Sequence, residues 1–292
     1  LHVEPVQDQP GDRTFKDHGL YLEQLYALWD GERFQALAGK FNLEFGFAWD
    51  KGPGVFGSDF AEDYEFTERV GFGGGFTFGG DGVGEHRIAA QLFIADNTPA
   101  SYTAFERRFE DVSGDLRRRN RERYPGVANT PYPTSFAVVA TGEEMPFLPG
   151  TSYNLGFIRE DGDDGARNET GGVFGLEHTY EASEDLAFVF LGEVAGFDDY
   201  QGSDEDRFYL TGGLGAAYGP WGASVSGTRR HIDAPGDSYN DLLFQASAGY
   251  TLDLGDMGEA GINVGWKTER VERDWADTVG LLLTYSFRFG TP

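Results

Sequence analysis

The chain has 292 residues, 39% hydrophobic and 15% aromatic, with 43 Gly against 2 Met, a mixture that suits one curved sheet and not a helical or α/β core. A net charge of −26 argues against nucleic acid as a partner. Without cysteine there is neither a disulfide framework nor a Cys-based metal site, and no apolar run of about 18 residues is present to cross a membrane as a helix.

Taken in chain order, alternating segments predict strands at about 1–6, 19–29, 33–46, 64–79, 85–96, 134–142, 151–160, 171–182, 185–197, 207–219, 221–232, 241–254, 258–271 and 277–290. The period of two is the mark of a strand with two different environments. In 34–47 the apolar set is Leu37, Phe41, Leu43, Phe45 and Phe47, against Lys40, Asn42 and Glu44. Gly71 to Gly75 lies inside a strand and is read as a point of sheet curvature, not as a dinucleotide loop. Segment 242–254 sets Leu242, Phe244, Ala246, Ala248, Tyr250, Leu252 and Leu254 against Gln245, Ser247, Gly249, Thr251 and Asp253. The last segment sets Val279, Leu281, Leu283, Tyr285, Phe287 and Phe289 against Gly280, Leu282, Thr284, Ser286 and Arg288.

The connections alternate in length. Asp30-Gly31-Glu32, Gly80 to Gly84, Ser183-Glu184, Pro220 and Gly255-Asp256-Met257 are short; 7–18, 47–63, 97–133, 161–170, 198–206, 233–240 and 272–276 are longer, and 143–150 is long for its class. Short turns at one end and long loops at the other are the habit of outer-membrane barrels, and apolar faces about ten residues long match a tilted spanning strand. The expected fold is therefore all-β: a single transmembrane antiparallel up-and-down β-barrel over 1–292, of about fourteen strands. Leu1 reads as a processed or trimmed start, and strands missing upstream would raise the count to sixteen.

Gly39-Lys40-Phe41-Asn42 with Phe45-Gly46-Phe47-Ala48-Trp49-Asp50, and the ending Leu283-Thr284-Tyr285-Ser286-Phe287-Arg288-Phe289, resemble bacterial porin-like outer-membrane proteins. Such proteins usually end on an aromatic residue, whereas Gly290, Thr291 and Pro292 follow Phe289 here. The resemblance implies a water-filled channel in the outer membrane of a Gram-negative cell, passing ions and small hydrophilic solutes without a chemical step. Its partners would be outer-membrane lipid, lipopolysaccharide and those solutes, with a homotrimer as one assembly and no cofactor.

Segment 97–133 is the third long loop and corresponds in rank to the inward-folded loop of trimeric porins. It carries Arg107, Arg108, Arg117, Arg118, Arg119, Arg121 and Arg123. Against acidic walls these would set a transverse field at a constriction. A helical turn paired with Glu106, Glu110, Asp111 and Glu122, or a site for anionic lipopolysaccharide, are the other readings.

Alternation places Lys40, Glu44, Glu65, Arg69, Arg87, Glu160, Glu177, Glu193, Arg230, Asp253, Lys267, Glu269 and Arg288 toward a lumen. The acid excess serves either solubility or a preference for cations. Asp161, Asp163, Asp204 and Asp206 could collect Ca²⁺, but their spacing fits solvated loop tips better. A membrane-embedded lipase or protease would need a rim Ser or Asp beside a histidine, and none of His2, His18, His86, His178 and His231 stands in such a setting. Diffusion through a channel with a weak preference for cations is the expectation. A barrel enzyme and a non-conducting structural or adhesion barrel are the alternatives.

Overall fold

The computed structural model describes residues 2–5, 18–98, 126–163 and 165–287. Among these residues thirteen strands form one antiparallel sheet in which every strand pairs with its chain neighbours: β3 (Leu25–Asp30), β4 (Phe34–Phe41), β5 (Arg69–Gly80), β6 (Gly84–Ala95), β7 (Ser135–Glu143), β8 (Thr151–Glu160), β9 (Glu169–Glu181), β10 (Leu186–Asp198), β11 (Asp206–Tyr218), β12 (Trp221–Ala234), β13 (Asp237–Asp253), β14 (Glu259–Val271) and β15 (Asp274–Ser286). The expected up-and-down meander is present. Two points differ from the sequence reading. The N-terminal strand β1 (His2–Pro5) pairs with β2 (His18–Tyr21) in a separate ribbon. The main sheet has β3 and β15 as its edges, and among the described residues no ladder joins them.

Register sorts the side chains. In β15, Val279, Leu281, Leu283 and Tyr285 stand on one face, 74%, 62%, 68% and 56% exposed. The same face carries Leu210 and Leu214 of β11, Trp221 and Val225 of β12, Phe244 of β13 and Ile262, Val264 and Trp266 of β14. The other face is small and polar: Gly73 and Gln91, Asn154, Gly175 and Glu193, Thr211 and Thr228, Ser226, Gln245 and Lys267 meet across successive ladders.

The sequence predicts a strand reaching 46 and another starting at 64. The structure ends β4 at Phe41 and starts β5 at Arg69, and the chain between folds onto the small-residue face as an insert. It contains α1 (Ala48–Lys51) and a 3-10 turn over Asp59–Tyr64. Phe41, Leu43, Phe45 and Phe47 do not form a continuing outward row; they are buried in the main apolar cluster with Tyr64, Phe66, Phe197 and Tyr209. An alternating run cannot distinguish a lipid-facing row from one packed inside, because the period is the same.

The insert also fixes the curvature. It touches Gly280 of β15 through Phe56 and rejoins the sheet at Arg69 of β5. The same short insert also meets Asn154 on β8, Glu193 on β10, Ser226 on β12 and Gln245 on β13. The sheet therefore curls round the insert, which lies on its concave face.

At the end where the insert leaves, the hairpins β12–β13 and β14–β15 close more tightly than the longer loops expected at 233–240 and 272–276. Only Pro235 and Gly236 join the first pair, and only Glu272 and Arg273 the second. Both Glu272 and Arg273 have positive φ, 49° and 79°, the shape of the hairpin turn usually written with Asn-Gly. The Glu272 N–H donates to Asp241 at 2.9 Å, and Arg273 bonds Asp237 at 2.9 Å. Those two contacts hold a turn that no local Gly or Asn announces.

Candidate functional site

The insert is seated by wall residues that are far away in sequence. Asn154 on β8 accepts the Gly46 N–H at 3.2 Å and donates to the Glu44 carbonyl at 2.9 Å. Glu193 on β10, 2% exposed, accepts the N–H groups of Phe47 at 2.8 Å and Ala48 at 3.2 Å, and the Tyr64 hydroxyl at 2.8 Å. Burial first, and then the adjacent Glu193 carboxylate, push the Tyr64 phenol far above its ordinary range, so it donates at neutral pH. Further along, Ser226 donates to the Gly57 carbonyl at 2.8 Å, Gln245 to the Pro53 carbonyl, and the Val55 N–H to Ser247 at 3.0 Å.

Glycines on the wall leave the room for these contacts. A Cβ at Gly156 would lie 2.7 Å from Phe45, one at Gly175 2.8 Å from Phe47, one at Gly213 2.7 Å from Pro53 and one at Gly265 2.7 Å from Val55. Aromatic edges complete the seat: Phe45–Phe66 at 5.2 Å and Tyr64–Tyr209 at 5.0 Å.

Charge is arranged in opposition. The insert carries acids, and the wall that faces it carries bases. Asp63 accepts from Arg230 at 2.7 Å, Arg207 at 3.2 Å and the Tyr209 hydroxyl at 2.8 Å, while Arg230 also holds Asp241 at 2.6 Å. Asp59 meets Lys267 at 2.6 Å, which also reaches Glu269 at 3.3 Å. On the other flank Lys51 of the insert meets Glu177 at 2.8 Å, and Glu44 meets Arg87. Glu62 is exposed and Glu65 half-buried. Desolvation raises the pKa of Glu62, with Asp59 adding to the rise and Lys267 opposing it. Glu65 is raised by desolvation and then by Glu62, Glu23 and Asp50.

Of the residues the sequence places toward a lumen, Arg69, Arg87, Glu177, Glu193, Arg230 and Lys267 stand on strands with their side chains on the insert's face. Arg69 meets Glu160 at 2.9 Å. Lys40 is not among them: it stands opposite Val70, on the other parity from Phe41 and Arg69, and is buried between Glu68 at 3.2 Å and Asp96 at 2.9 Å. Glu44 and Glu65 belong to the insert, not to strands as the alternation suggests. Arg288 and the arginines at 107, 108, 117, 118, 119, 121 and 123 lie outside the described residues.

Sequence reasoning missed Asp59, Asp63, Arg207, Tyr209 and Asp241. The only signal for them was the long connection itself, whose acids Asp50, Asp59, Glu62 and Asp63 outnumber its single base, Lys51.

Of the acidic loop residues, Asp161 and Asp204 are bound by arginines. Asp161 pairs with Arg159 at 3.1 Å, and Asp204 with Arg167 at 2.8 Å, which also holds Asp199. Asp206 accepts the Asp199 N–H at 3.0 Å. Among the described residues no group of three or more His, Asp or Glu is placed to hold a metal ion. His86 bonds the Tyr153 hydroxyl at 3.1 Å, His178 the Thr151 hydroxyl at 2.8 Å and His231 the Asn240 side chain at 3.2 Å. Comparison with known proteins yields no matching family model and no matching curated protein.

Proposed function

We propose that this chain is an outer-membrane β-barrel of the porin-like kind, a channel for ions and small hydrophilic solutes with a weak preference for cations, whose constriction is the insert 42–68. The observation that carries this reading is the opposed chemistry of the two sheet faces. Large apolar side chains stand exposed on the convex face of strand after strand, while small and polar residues line the concave face. Water would penalise the first arrangement and hydrocarbon the second, and a bilayer around a wet interior satisfies both.

Tyr218, Trp221 and Tyr250 lie side by side across three strands at the short-turn end, as aromatic girdles do at a membrane interface. Backbone groups at the edges β3 and β15 need partners in lipid, so the closing seam of the barrel is assigned between them.

Selectivity follows from the charge arrangement. Asp59 and Asp63 offset the wall bases, and Glu62 and Glu65 add negative charge on the insert. A cation is therefore favoured over an anion.

The test is conductance of the refolded chain in a planar bilayer under a salt gradient, with and without shortening of the insert. Small cation-favouring steps that enlarge on shortening are expected. Clean insertion with no steps in either form sinks the channel. It would leave the second reading, a non-conducting structural barrel, which is favoured by the aromatic packing of Phe45 and Phe66 against Phe197.

A further inference from the structure

We infer that Arg229 and Arg270, with His231 beside them, form a docking site on the convex face for the phosphorylated headgroup of an anionic lipid; this rests on the membrane reading above. In a chain of net charge −26, bases are scarce. Among the described residues, all lysines and arginines except Arg33, Arg229 and Arg270 are ion-paired with carboxylates. Arg33 lies at the short-turn end. The other two share one row, since both are register partners of Leu242 on the strand between them.

Asn240 gathers the cluster. Its side-chain oxygen accepts from Arg229 Nε at 2.8 Å and lies 3.2 Å from His231 Nδ1; its carbonyl accepts from Arg270 Nη2 at 2.9 Å. Arg270 stacks over Trp275, 5.7 Å from the ring centre, and its buried Nε has no hydrogen-bond partner. Two strand spacings, about 10 Å, separate the two backbones, a span that two inward-leaning guanidinium groups close on one phosphate. Both keep unused N–H donors, and the planar fork is the geometry that phosphate oxygens accept. The carboxylate nearest in register on this face, Asp277 opposite Thr268, pairs with neither arginine.

Position supplies the second argument. On β12 the outward residues run Trp221, Ala223, Val225 and Gly227 before Arg229; on β13 they run Leu252, Tyr250, Ala248, Ala246, Phe244 and Leu242 before Asn240. From Trp221 to Arg229 is roughly 26 Å of strand at about 3.3 Å per residue, or about 20 Å in height at a tilt near 40°. The cluster thus sits where the apolar band ends, on the side of the longer loops, which faces outward in such barrels. Headgroup phosphates of the outer leaflet lie at that level.

The experiment is native mass spectrometry of the full chain in phosphatidylethanolamine nanodiscs doped with diphosphoryl lipid A, after flotation with vesicles of the same composition. The comparison chain is R229Q/R270Q, and its folding is checked by the mobility of the unheated sample in detergent gels. The wild type should retain lipid A about tenfold more than the double variant, and more than it retains dephosphorylated lipid A. Equal retention by an inserted double variant, or equal retention of the dephosphorylated lipid, overturns the site. Displacement of the lipid by millimolar inorganic phosphate overturns it as a lipid site and leaves a free-anion site. Failure of the wild type to float is read separately: it removes the membrane reading itself, and this inference with it.

Discussion

The buried carboxylate of Glu193 accepts the backbone N–H of Phe47 at 2.8 Å across a sequence separation of 146 residues. That bond, with those from Ala48 and Tyr64, fastens the insert to the middle of β10. Replacing the carboxylate with an apolar group of similar size leaves these buried donors unsatisfied, at about 1–3 kcal/mol. Glu193→Leu should raise hydrogen exchange over residues 43–66 while β12 to β14 keep their protection. Unchanged exchange in the insert would show that Glu193 is not its anchor.

Asp63 carries the opposite end of the seat. Asp63→Asn keeps the shape but removes the charge that faces Arg207 and Arg230. The group is partly exposed, so the loss is expected at about 1–2 kcal/mol, below the range for a fully buried pair. Thermal unfolding in detergent would register it as a lower Tm. In a bilayer the same variant should show noisier, larger conductance steps. A quiet channel of unchanged size would mean the ion pairs do not hold the insert.

Wall glycines give a steric test with an internal control. Gly175→Leu drives a side chain into Phe47, whereas a Cβ at Gly192 meets nothing within 4 Å. Overpacking of this kind costs about 1–3 kcal/mol. Limited proteolysis should cut the Gly175→Leu chain in the insert and spare Gly192→Leu. Equal resistance of the two would contradict the seating described above.

The acids Glu62 and Glu65 have pKa values raised mainly by desolvation. Between the ordinary 4.5 and the raised value, the folded chain binds more protons than the unfolded one. Their contribution to stability is therefore most favourable at acid pH and is lost as pH rises through that window. Cation preference should move the other way, falling as these groups protonate on acidification, at a pH above that of ordinary carboxylates. Reversal potentials measured across pH would show the step, and E62Q/E65Q should abolish it. A step that survives in the double variant belongs to other groups.

Much of the sheet is legible in the residues. Val279, Leu281, Leu283 and Tyr285 alternate with Gly280, Leu282 and Thr284, and both the strand and its two faces follow. The turns Asp30-Gly31-Glu32 and Ser183-Glu184 mark hairpins for the usual reason, that the chain must reverse where apolar periodicity stops. The turn Glu272-Arg273 was not legible, because two non-glycine residues with positive φ are held there by Asp241 and Asp237 from the neighbouring hairpin.

The sequence by itself determined the all-β class, the neighbour-to-neighbour pairing and the segregation of apolar from polar residues, since a period of two needs only local geometry. Tertiary structure alone decided that 42–68 turns inward and that its acids meet Arg207, Arg230 and Lys267. Phe41 to Phe47 alternate as a lipid-facing strand would, and nothing local marks them as interior. Their burial depends on Gly156 and Gly175 leaving space, and on Asn154 and Glu193 offering bonds, more than a hundred positions away. Contacts of that range arise only when the sheet has curled, and hydrophobic period carries no information about them.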